Sequence, residues 1–177
     1  MYLEPSPERI ERANRITAQI REVFRDVKLG EGVGLYEGQA IDDYESDEER
    51  ALKRAKDEKE DWRKIPTTNL NACNSSLSFF DAEGMRFHLP AFICCDLRGE
   101  YGLELEFSLT GLGDWKKKKF SLLTSAEKAA VAEYLEFLAE DVDGEFSLDE
   151  IRMALDEFWK KAPGSSIAQS QTGGNTV

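Results

Sequence analysis

Ser76-Leu77-Ser78-Phe79-Phe80-Asp81-Ala82-Glu83-Gly84-Met85-Arg86-Phe87-His88-Leu89-Pro90-Ala91-Phe92-Ile93-Cys94-Cys95-Asp96-Leu97 is the most apolar stretch of the chain, and it reads in two ways. As a hairpin, Ser76–Phe80 and Met85–Leu89 flank a turn Asp81-Ala82-Glu83-Gly84, with Gly84 in the left-handed position. As a helix, Asp81 is the N-cap and Met85, Leu89, Phe92, Ile93 and Leu97 share one face. Pro90 then kinks the helix or splits it in two. The helix is preferred, because short apolar runs are where a period-2 reading fails most readily.

Upstream, Ser6-Pro7 opens a helix, with serine as N-cap and proline at the first position, where its missing N–H costs nothing. Ile10, Ala13, Ile16, Ile20, Val23 or Phe24, and Val27 follow at helical spacing. Arg9, Arg12, Arg15, Arg21 and Arg25 make this the one locally basic element, and Gly30, Gly32 and Gly34 end it. Ser46-Asp47-Glu48-Glu49 is a capping box. It predicts a largely exposed helix to about Trp62, anchored mainly at that end.

Downstream, Leu103, Leu105, Phe107 and Leu109 alternate with Glu104, Glu106 and Ser108, which predicts a half-buried strand. Gly111 and Gly113 turn it, and Lys116–Phe120 returns as its partner, the lysines guarding an edge against aggregation. Thr124-Ser125-Ala126-Glu127 and Ser147-Leu148-Asp149-Glu150 are capping boxes that start two closing helices. Ala130, Tyr134, Phe137 and Leu138 line the first, and Ile151, Leu155, Phe158 and Trp159 the second. The expected fold class is α+β, mainly helical, with helices packed around a small antiparallel β element. Residues 1–163 are expected to form a single globular domain, and 164–177, rich in Ser, Gln and Gly, a disordered polar tail.

The 177 residues carry 35 acids against 23 bases, a net charge of −12. Such a surface repels phosphate, which excludes general binding to nucleic acid or to an anionic membrane. No apolar run approaches the ~20 residues of a bilayer span, and Met1–Ile10 lacks the apolar core of a signal peptide. Cys73, Cys94 and Cys95, odd in number and without framework spacing, fit a reducing cytoplasm. The expectation is an acidic cytoplasmic protein with no cofactor.

Three groups of residues are candidates for function. Residues 37–49 hold seven acids and no base, and residues 133–150 eight and none. Two such blocks would steer the protein onto a basic protein partner, with Asp42, Asp43, Glu48 and Glu49 as the contact residues; the plain reading is solubility alone. The connection Glu140–Glu150, aligned on Gly144, matches much of a calcium loop, with Asp141 and Asp143 at positions three and five and Glu150 at twelve. Ala139 offers no oxygen at position one, so the competing reading is a helix joint turned by Gly144 and capped by Ser147. Asp141, Asp143, Glu145 and Glu150 are the fallback metal ligands. His88 is the sole histidine and would have to serve any nucleophile–base pair with Cys73, Cys94 or Cys95. Against that stands the ordinary behaviour of cysteine as a small buried hydrophobe. Gly30-Glu31-Gly32-Val33-Gly34 follows a helix rather than a strand and lacks a later Gly and Lys, so it is no phosphate loop.

Leu77 through Phe92 resembles the signature "LSFxDxEGxRFxLPAxx" of a functionally uncharacterised bacterial family. Asp61-Trp62-Arg63-Lys64-Ile65-Pro66 is similar to its "DDWRxIP" stretch, and Leu122-Leu123-Thr124 with Ala130 through Leu138 resembles its C-terminal helix. The likeness covers roughly residues 36–160. It implies a small bacterial cytoplasmic protein with Trp62, Phe87, Leu89 and Phe92 in the core, and it carries over no catalytic residue. Small acidic bacterial proteins are sometimes immunity partners of toxins. The function expected is therefore a non-catalytic protein that binds a basic partner, immunity- or antitoxin-like in its specific form. The alternative is a weak calcium or metal binder using 141–150.

Overall fold

A computed structural model describes residues 5–140 and 145–161, the side chains of 145 and 146 excepted. The ambiguous apolar stretch is helical. Its main element is α6 (Ala82–Leu97), which runs through Pro90, and Asp81 caps it by accepting from Gly84 N at 2.8 Å. Eleven of its sixteen residues are buried, from Gly84 to Cys95 with only Arg86 left out. The apolar residues therefore do not form one face. A helix enclosed on every side shows no amphipathic stripe, which is why its period was hard to read.

Around α6 lie α1 (Pro7–Val23), α4 (Thr67–Ala72), α8 (Asp114–Lys119) and a 3-10 turn at Trp62–Lys64. A second group consists of α2 (Leu35–Asp42), α3 (Asp47–Lys56) and α5 (Ser76–Phe79), with α2 packed on both of the others. The single turn α7 (Glu106–Leu109) precedes α8. α9 (Ser125–Ala139) packs on α1, and α10 (Glu145–Ala154) with its π-helical continuation Leu155–Trp159 packs on α9.

Arg86 and Asp96 of α6 each have a partner on α9. Arg86 Nε lies 3.1 Å from both carboxylate oxygens of Glu127 and Arg86 Nη2 lies 2.8 Å from one of them. Glu127 is 1% exposed and also closes the capping box of α9, accepting from Thr124 N at 2.8 Å. At the other end, Tyr134 of α9 donates to Asp96 at 2.6 Å. Two indoles finish helix ends: Trp62 Nε1 donates to Phe24 O, the C-cap of α1, and Trp159 Nε1 to Leu109 O at the end of α7, each at 2.9 Å.

The expected α+β class is overturned: among the described residues there is no strand and no sheet. Residues 103–109 explain the error. Leu105 and Leu109 are buried, whereas Leu103 and Phe107 are half exposed. Residues alternating at spacing two also stand four apart, so one helical turn sorts the same letters into an inner pair and an outer pair. The expected partner, 116–120, belongs to α8, and a strand without a partner leaves its backbone unbonded. The lysines accordingly guard no edge. Lys119 Nζ donates to Leu77 O at 3.1 Å and Ser78 O at 2.5 Å, and Lys116 Nζ to Thr110 O at 2.7 Å and Phe107 O at 2.5 Å. Three residues apart on one helix face, they satisfy carbonyls at the ends of α5 and α7. Desolvation brings the Lys119 ammonium down to about 8.

Helix bounds differ in three places. α1 stops at Val23, because Phe24 and Val27 turn into the core ahead of the glycines. The helix from Ser46 stops at Lys56, and no residue of it is buried. α10 starts at Glu145, which puts Ser147 inside its first turn and not at its cap. The tail 164–177 lies outside the described residues.

Replacing Glu127 with Ala removes both the cap and the partner of Arg86. Arg86 keeps 32% of its side chain exposed, so the loss falls below the 3–5 kcal/mol of a fully buried pair. Glu127→Ala is expected to cost about 2 kcal/mol in urea unfolding, and a loss under about 0.5 kcal/mol would show that the pair does not tie α9 to α6.

Candidate functional site

The α2–α3 corner is held from both ends of its two helices. Asp57, just past α3, caps α2 from outside its own sequence, accepting from Tyr36 N at 2.7 Å and Glu37 N at 3.3 Å. A side chain at Gly34 would put its Cβ 1.8 Å from Asp57 Oδ2, so only glycine leaves room for this cap. Burial raises the Asp57 carboxyl pKa, against the pull of the two backbone N–H groups and Arg54. Arg54 reaches Glu37 at 3.4 Å and donates to Gly30 O at 2.8 Å. Ser46 and Glu49 form the reciprocal capping box of α3, and Glu49's pKa is lowered by the Ser46 backbone and side-chain hydrogen bonds.

Between the helices the chain makes a Schellman turn. Glu45 N donates to Ala40 O at 3.0 Å and Tyr44 N to Ile41 O at 3.2 Å. The residue after the C-cap must then be left-handed, and here it is Tyr44 at φ 57°, the only non-glycine residue with positive φ among those described. α6 ends in the same motif, with Glu100 N on Cys95 O and Gly99 N on Asp96 O, and there the position is Gly99 at φ 68°. The tyrosine ring gains nothing inside the fold, since Tyr44 is 96% exposed.

The four residues expected to touch a partner flank this turn. Asp42 ends α2, Asp43 is its C-cap, and Glu48 and Glu49 lie in the first turn of α3. Asp43 accepts from Gln39, and Glu49 is committed to its cap. Among the described residues neither Asp42 nor Glu48 has an ion-pair or side-chain partner. Part of the second acidic block is paired within the fold: Glu136 with Lys160, Asp149 with Arg152, and Glu140 with Arg12 and, at 3.9 Å, Arg9. The arginines of α1 thus complement α9, and Arg9 also stacks 3.8 Å over Phe137.

Of the fallback metal ligands, Asp141, Asp143 and the Glu145 side chain lie outside the described residues, and Glu150 is half-buried on α10. No group of three or more metal-ligating side chains occurs among the described residues. His88 meets no cysteine. Its Nδ1 stands 2.7 Å from Gly84 O, its ring stacks on Phe80 at 4.4 Å and it meets the edge of Phe87. Burial raises all three cysteine pKa values, Cys94 to about 11, the opposite of an activated thiolate.

Tyr44 was not a candidate from sequence alone. The signal for it is an absence: 42–47, Asp-Asp-Tyr-Glu-Ser-Asp, must end one helix and cap the next without a glycine or asparagine between them.

An all-helical domain built on one enclosed helix, with an acidic two-helix corner, is what fold and site define. Residues 12–163 match the family described as "Family of unknown function (DUF6714)", and the chain belongs to that family. No curated protein and no solved structure matches it. No helix among the described residues is long and apolar enough to cross a membrane.

Two outcomes follow. A non-glycine residue in the left-handed region costs roughly 1–2 kcal/mol, of which glycine's extra chain entropy returns a part. Tyr44→Gly is therefore expected to raise the melting temperature and to stabilise by roughly 0.5–1 kcal/mol; a destabilised variant would show that the ring packs in solution. His88 is lowered from 6.5 to about 4 by burial. Between those values the unfolded chain binds the proton and the folded one does not, so stability is lost as pH falls from 6.5 to 4, by roughly 3 kcal/mol in all. Urea unfolding at pH 7 and pH 4.5 should show this loss in the wild type and a smaller one in His88→Gln.

Proposed function

We propose that this protein is a non-catalytic binding protein whose α2–α3 corner engages a basic surface on a protein partner. The observation that carries the proposal is Tyr44, an exposed aromatic side chain held in a costly backbone conformation in an acidic turn where Asp42 and Glu48 have no partner among the described residues. Strain kept where a cheaper residue fits the fold belongs to function more often than to stability. Tyrosine is enriched at binding hot spots because it supplies large contact area and one polar handle. The flanking Asp42, Asp43 and Glu48 supply steering and select a cationic partner.

The compartment is the cytoplasm, which the free thiols support. In its specific form the role is that of an immunity or antitoxin protein, masking a basic active surface. We also assign the bacterial family signature to Leu77–Phe92 and to Asp61–Pro66. Asp81, Arg86 and Trp62, which those stretches contain, hold the fold together.

The test is an NMR titration of labelled protein with a lysine- and arginine-rich peptide at low salt. The expected shifts concentrate on residues 42–52. The triple change Asp42→Lys, Asp43→Lys, Glu48→Lys should weaken binding about tenfold or more, and Tyr44→Gly should weaken it while the fold gains stability. Glu49 is left in place so that the α3 cap survives. Equal shifts along α9, or affinity unchanged by these variants, would overturn the assignment.

A further inference from the structure

At the N-terminal end of α2, the end away from Tyr44, a cavity of about 230 Å³ opens between α2, the segment 56–66, α4 and α6. Tyr36, Asp57, Lys64, Pro66, Asn69 and His88 are among its walls. We propose that this cavity binds a small neutral molecule through an amide-type edge, an N–H beside a C=O as in a lactam or a nucleobase, with the N–H given to His88 Nε2 and the C=O accepting from Tyr36 O–H.

The assignment of donors and acceptors follows from what each wall residue has already spent. Gly84 O only accepts, so the 2.7 Å contact places the proton of His88 on Nδ1. Nε2 is then a lone-pair acceptor. It is buried in a residue of 0% exposure and has no hydrogen-bond partner. The stack on Phe80 and the edge contact with Phe87 hold the ring so that it cannot turn Nε2 elsewhere. His88 lines the cavity, and with Nδ1 committed to Gly84 O its remaining hydrogen-bonding atom is Nε2. Burial also keeps the imidazole uncharged at neutral pH.

Tyr36 contributes the complementary group. Its oxygen accepts from Asn69 Nδ2 at 2.6 Å, and its own O–H has no acceptor among the described residues. The carboxylates in the wall are committed: Asp57 to Tyr36 N and Glu37 N, and Glu58 Oε1 to the three backbone N–H groups of 59–61. Charge at the mouth balances, with Lys56 and Lys64 against Asp57 and Glu58, which favours a neutral ligand. The volume lies below the roughly 300–1,000 Å³ of drug-sized pockets, which restricts the occupant to about one ring.

Long-range proton–nitrogen NMR of the wild-type protein reads the two ring nitrogens of His88 directly during titration with 2-pyrrolidinone, uracil and, as a control, acetate. The expected result is a saturable upfield shift of Nε2 with both amide-type probes and none with acetate. Tyr36→Phe removes only the hydroxyl and should weaken binding about tenfold, the value of one hydrogen bond of about 1.4 kcal/mol. An Nε2 resonance that neither amide probe moves, an equal response to acetate, or affinity unchanged in Tyr36→Phe would each overturn the proposal. The peptide titration at the α2–α3 corner reads a different surface, so the two readings fail separately.

Discussion

The rest of this structure depends on the enclosure of α6. From Gly84 to Cys95 only Arg86 of this helix reaches water, so a polar group there has little to hydrate it, and each one left unpaired would cost several kcal/mol by order of magnitude. The sequence nevertheless places Asp81, Arg86, His88 and Asp96 on it or at its start. The neighbours are positioned to answer them. Asp81 caps the helix and also binds Val33 N at 3.0 Å, which brings the glycine loop 30–34 onto its N-terminus. That approach leaves no room for side chains: a Cβ on Gly32 would lie 2.5 Å from Gly84 N, and one on Gly84 would lie 2.4 Å from Val33 O. Arg86 and Asp96 fix α9 at two heights. His88 alone is answered on one side only.

Charge is distributed by the same logic. Most acids of the chain are drawn into caps and pairs where they face described bases: Glu127 on Arg86, Glu136 on Lys160, Glu140 on Arg12, Glu37 on Arg54. Of the basic α1, conspicuous against a net charge of −12, Arg9 and Arg12 are taken up by Glu140 and Phe137 at the end of α9. At the α2–α3 turn Asp42 and Glu48 have no such partner among the described residues, and Glu48 lies on a helix with no buried residue of its own. A helix that contributes nothing to the core is held by its caps and by the two elements beside it, so its outer surface is free to be selected for contact.

Three helix starts were legible at once. Ser6, Ser46 and Thr124 start helices as expected, because a cap is a contact between residues three apart and needs no tertiary context. Asp81 as N-cap of the central helix was legible for the same reason. The strand at 103–109 was misread because alternation over so few letters is compatible with one helical turn, and only the burial of Leu105 and Leu109 separates the two. Lys116 and Lys119 were misread with it.

Of the candidate sites, the acidic corner could be located from composition, but its defining feature could not. That Tyr44 adopts a left-handed backbone follows from the Schellman bonds that close α2, and the lack of a glycine at 42–47 was the one trace of it in the sequence, whereas the exposure of its ring depends on the packing around it. The cavity was invisible, since Tyr36, Asn69 and His88 come from three helices and meet only after folding. The sequence by itself determined where the helices capped by Ser6, Ser46, Asp81 and Thr124 begin and the sign of the net charge. The tertiary structure alone decided which polar groups were paired and which were left over, because burial withdraws water from every polar group at once and only the packed neighbours can replace it.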